Sequence, residues 1–164
     1  MTPTRRQTQT RPASPADAKL GTSIETPCLY DEAMAYQRPS IADVALEVGA
    51  SLSEGDESGA LRLAIRCVEL FEHAPVDERW GLVAFEPVAT VDARFDALLA
   101  AITEYLCARE GVLAPTWVDD PRRFLDQWWF VSGIHSLHAD AIAHSPISFA
   151  RRGVFITAGA LAYA

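Results

Sequence analysis

Ala93-Arg94-Phe95-Asp96-Ala97-Leu98-Leu99-Ala100-Ala101-Ile102-Thr103-Glu104-Tyr105-Leu106 decides the fold class, because Phe95, Leu98, Leu99, Ile102 and Leu106 recur at helical spacing and define one apolar face. Thr90 or Asp92 stands ahead as an N-cap, and Gly111 behind supplies the residue that ends a helix in the left-handed conformation. A central core helix is expected here. Upstream, Ser40 with Asp43 three residues on opens a helix through Ile41, Val44, Ala45, Val48 and Leu52, which Gly55 stops. Asp56 caps a second helix along Leu61, Ala64, Ile65, Val68 and Phe71 until Pro75 ends it, and the short link makes the pair antiparallel. A brief helix from Val76 to Phe85 is expected to bury Trp80 and Val83 before Pro87 breaks the chain.

Downstream of the core helix, Asp120-Pro121 is an N-cap and first-turn pair that opens a short helix through Phe124, Leu125 and Trp128. Ile134 to His144 repeats the helical spacing, Ser145-Pro146 restarts a turn that ends at Gly153, and Thr157 stands before a last helix. No segment alternates convincingly, so the expected fold is all-α: about six helices in one domain over residues 39–164, with one short extended piece near residues 153–157. Residues 1–38, rich in Thr, Pro, Ala and Arg and without a period, are expected to form a disordered tail. Leu29, Met34 and Tyr36 near its end offer apolar anchors for local docking or for ordering on a partner.

The charge of the 164 residues is −8 and is unevenly spread. Residues 39–118 hold five Lys/Arg against fourteen Asp/Glu, whereas residues 119–164 hold four against four. Phosphate recognition depends on many Lys/Arg, so an acidic body with the single lysine Lys19 argues against unaided nucleic-acid binding. Three cysteines, Cys28, Cys67 and Cys107, are odd in number and widely spaced, which fits a reducing cytoplasm. The arginines near the start lack the apolar run of a secretory signal, and no stretch is long and apolar enough to span a bilayer.

The residues that carry chemistry elsewhere do not converge in this sequence. His135 and His138 share a helical face, with Asp140 nearby, but His144 lies six positions beyond His138 and points elsewhere. No nucleophile elbow, activated cysteine or glycine-rich phosphate loop is present, so no catalytic residue, metal or cofactor is expected. Ile41-Ala42-Asp43-Val44-Ala45 through Gly49-Ala50-Ser51 imitates the start of a helix-turn-helix. A recognition helix would then begin in Ser53-Glu54-Gly55-Asp56-Glu57-Ser58-Gly59, whose carboxylates would face phosphates.

Candidates for protein contact come from Arg and Trp. Arg151 and Arg152 precede Gly153 near a helix end, where positive charge suits the dipole; Arg122 and Arg123 sit at a helix start, where it does not. The latter pair serves either internal ion pairs with the acidic middle helices or an anion or acidic partner. Trp117, Trp128 and Trp129 crowd beside Phe124 and Phe130, and on a helix Trp128 and Trp129 would point about 100° apart, one inward and one outward. An exposed Trp near Arg has the composition of an interface hot spot. The candidate interaction residues are therefore Trp128, Trp129, Arg122, Arg123, Arg151 and Arg152.

Trp117-Val118-Asp119-Asp120-Pro121-Arg122-Arg123-Phe124-Leu125-Asp126-Gln127-Trp128-Trp129-Phe130, then Ser136-Leu137-His138-Ala139-Asp140-Ala141, Ser145-Pro146 and Phe149-Ala150-Arg151-Arg152-Gly153-Val154-Phe155-Ile156, resemble a family of small helical proteins of high-GC bacteria. Gly55-Asp56-Glu57, Ala60-Leu61-Arg62-Leu63 and Ala93-Arg94-Phe95-Asp96-Ala97-Leu98-Leu99 are similar to the same family, so the resemblance spans about residues 40–160. Members are encoded beside nucleotidyltransferase-like toxins of the abortive-infection kind. The resemblance thus implies an antitoxin or accessory regulator whose partner is a basic toxin encoded nearby. It designates no functional residues. In that family the C-terminal stretch also follows helix-turn-helix domains, and this chain has no competent one. A DNA-associated transcriptional regulator using Arg5, Arg6 and Arg11, and a small metal-dependent hydrolase around His135, His138 and Asp140, are the alternatives.

Overall fold

Ser40 closes a reciprocal cap with Asp43. The Asp43 amide donates to Ser40 Oγ at 3.3 Å and the Ser40 amide donates to Asp43 Oδ2 at 2.8 Å. The computed structural model describes residues 38–162. From that cap α1 runs Ile41–Ser53, and Gly55, at φ 81°, makes the left-handed turn that releases the chain from it. Asp56 caps α2, Glu57–Glu72, by accepting from the Gly59 amide at 2.7 Å, and α2 packs along α1 through Ala60, Ala64, Cys67, Val68 and Phe71.

Helix α3 is Val76–Val83 and differs from expectation on its outer side. Val83 is buried as expected, but Trp80 is 48% exposed and Phe85 is 73% exposed. The reason is rotation. Arg79 is tied to the carbonyls of Ala74 and Glu72 at 3.1 and 3.0 Å and to Glu110 at 2.6 Å, which turns the Arg79–Leu82–Val83 side inward. Val76 and Trp80, one turn apart, then face outward.

Helix α4, Ala93–Glu110, is the centre of the molecule and touches α1, α2, the 3₁₀ turns Thr116–Asp119 and Pro121–Arg123, the short helix Ile147–Ala150 and the extended pair Val154–Phe155. Of the two candidate caps, Asp92 is the N-cap and accepts from the Arg94 amide at 2.8 Å, while the Thr90 hydroxyl braces it by donating to the Asp92 carbonyl at 2.9 Å. Gly111, at φ 68°, ends the helix. Every residue from Phe95 to Thr103 is buried, a wider burial than the single apolar stripe predicts. Ala97, Ala100 and Ala101 on the flanks let neighbouring backbones approach, so α4 is enclosed on all sides. Each fully buried Phe or Leu here contributes about 1.5–3 kcal/mol.

Beyond α4 the helix expected through Trp128 is absent. Pro121–Arg123 is a single 3₁₀ turn, as is Thr116–Asp119 before it, and Phe124 is already extended at φ −124°, ψ 138°. The chain is drawn out by backbone bonds to a distant segment: the Leu125 amide donates to the Arg152 carbonyl at 3.0 Å and the Trp129 amide to the Gly153 carbonyl at 2.8 Å. Strand β1, Trp129–Phe130, pairs in parallel with β2, Val154–Phe155, with Trp129 opposite Val154 and Phe130 opposite Phe155. Gly153, at φ 77°, sits where a Cβ would meet Leu125 at 3.3 Å, so the close approach of the two segments requires glycine. The extended piece near residues 153–157 is therefore present, and its partner is the Trp-rich stretch.

Between the strands lie a 3₁₀ turn, His135–Leu137, then α5, His138–His144, and α6, Ile147–Ala150; α7, Ala158–Ala162, follows β2. The fold is all-α, with seven α-helices and a two-residue-wide ribbon among the described residues. None of these helices is long and apolar enough to cross a membrane. The expected disordered tail falls on residues outside those described, except for Arg38, which pairs with Glu78 at 2.7 Å.

Candidate functional site

The six candidate residues are split by the fold into buried and exposed members. Arg152 is 0% exposed at the end of α6, so no partner can touch it. Its Nη2 donates to the Val118 carbonyl at 2.7 Å, its Nη1 approaches Glu104 Oε2 on α4 at 2.6 Å, and its plane covers Phe124. The contact with Glu104 is a close ion pair whose alignment falls short of a hydrogen bond. Burial pulls the Arg152 guanidinium below its ordinary value and Glu104 opposes that pull, so the group stays a cation. Arg123 is likewise buried. Its Nη2 donates to the Pro87 carbonyl at 2.8 Å, its Nη1 lies 3.4 Å from Asp96 Oδ1, and it stacks over Trp117. Both residues leave the list of groups a partner can meet and become cross-links of the fold.

The other two arginines reach the surface but are engaged. Arg122, 75% exposed, forks onto Asp120 with Nε at 3.0 Å and Nη2 at 2.7 Å. That hydrogen-bonded pair, with the Arg122 amide added, holds the Asp120 carboxyl down at about 2. Arg151 bridges Glu104 at 3.0 Å and Asp119, and lies over Phe124. Ion pairs are present at both Arg122 and Arg123, but only Asp96, the partner of Arg123 on α4, belongs to a middle helix; Asp120 lies in the turn of Arg122 itself and Glu86 between α3 and α4.

Trp128 and Trp129 do part company, though by strand alternation and not by helical rotation. Trp129 is half-buried against Phe95, with ring centroids 5.5 Å apart, and is covered by Arg94. Trp128 is 66% exposed and leans on Phe155 at 5.0 Å. Trp117 is a core residue whose Nε1 donates to the Val83 carbonyl at 3.2 Å.

Sequence reading missed two further features. The outward side of α3 displays Val76 and Trp80 beside Asp77 and Glu78, and Phe85 follows them. Val76 and Trp80 at four-residue spacing on a two-turn helix were the available signal. Glu104 anchors both Arg151 and Arg152; its charge inside the apolar spacing from Ile102 to Leu106 marked it as a position with a partner.

The rings of His135 and His138 lie 4.9 Å apart, without a third ligating side chain beside them among the described residues. The His138 ring stacks flat on Phe130 at 3.9 Å and 7°, and His144 Nδ1 turns to Asp140 at 2.9 Å. Among the described residues no three His, Cys, Asp or Glu side chains gather in a way that would hold a metal ion. Burial pushes the Cys67 thiol up to about 12, and raises that of Cys107 as well, which keeps both protonated at neutral pH. The helix-turn-helix imitation ends in α2, whose N-cap is Asp56 and whose first turn offers Glu57. No family model, curated protein or solved structure matches the chain.

Proposed function

We propose that this chain is a non-enzymatic protein-binding module that masks a basic partner, an antitoxin or accessory regulator of a nucleotidyltransferase-like toxin. The observation that carries this reading is the acidic outer surface of α1, α2 and α3. Glu47, Glu54, Glu69 and Asp77 are exposed there and enter no ion pair among the described residues, and they outnumber the likewise exposed and unpaired Arg62 and Arg66. Helix α3 displays Trp80 and Val76 beside Asp77 and Glu78, so an apolar anchor stands next to negative charge. Complementary fields speed association and select partners, while an aromatic anchor supplies the residence time. The toxin class comes from the resemblance alone.

Co-expression with the product of the neighbouring gene, followed by pull-down, tests the proposal. A complex is expected that weakens as salt rises and that loses affinity on Trp80→Ala. A chain that elutes alone at low salt sinks the reading.

A further inference from the structure

We draw no further inference here: the strongest candidate, the apolar cleft of about 310 Å³ between α2, the ribbon, α5 and α7 with the exposed Trp128 leaning on Phe155 beside it, carries nothing because no feature of the structure shows what covers it.

Discussion

The stretch from α1 to α4 and the stretch from Pro115 to Ile156 share one core but are held by different physics. In the first, each helix is closed by its own caps and buries an apolar face, so its stability is the sum of local signals and hydrophobic area. In the second, helices are one or two turns long, too short to bury a face alone. Long polar reaches substitute for them: Arg123 to Pro87, Arg152 to Val118 and Glu104, Trp117 to Val83, and the ribbon between residues 125 and 155. The difference teaches that a chain poor in regular structure still reaches a fixed shape when its buried cations bind backbone carbonyls across sequence distances of more than thirty residues.

The largest expected effect falls in the first region. Phe95→Ala empties the point where α4 meets Trp129 and is expected to lower unfolding free energy by about 3–5 kcal/mol, read by chemical denaturation. Arg152→Met comes next at about 3 kcal/mol, since it strands the Val118 carbonyl while Glu104 keeps Arg151. A near-neutral Arg152→Met would break the comparison, because an apolar contact would then replace the polar reach without loss.

Acid sharpens it further. The Asp43 and Asp92 carboxyls lie below the ordinary carboxylate range, Asp43 through the Ser40 hydroxyl and Asp92 through Arg94. Groups with lowered folded values contribute stability that is complete above about pH 4 and disappears as pH falls through those values. Denaturation midpoints are therefore expected to be flat near neutrality and to drop below about pH 4. Asp92→Asn, which still caps but cannot hold Arg94 as an anion, is expected to flatten that drop. The smallest effect belongs to Arg122→Ala: its fork with Asp120 is exposed and screened by solvent, and thermal unfolding is expected to move by no more than a few degrees.

Caps and breaks were legible in the sequence because each depends on residues within four positions of one another: Ser40 with Asp43, Asp56 with Gly59, Asp92 with Arg94, Gly111 at its own φ. The run from Asp120 to Trp128 was misread for the opposite reason. Its local signals favour a helix start, but amides 125 and 129 are claimed by carbonyls 152 and 153, and no window of sequence contains both. The interaction candidates suffered the same fate. Arg123 and Arg152 stood among the candidates for partner contact, and packing against α4 buried them.

The sequence by itself determined the all-α class, the extents of α1, α2 and α4, the acidic balance of the middle helices and the extended piece after Gly153. Only the tertiary structure decided which Trp lies outside, which arginines are cross-links and where the cleft opens. Periodicity and capping are properties of neighbours along the chain, whereas exposure is set by whatever distant segment arrives to cover a side chain.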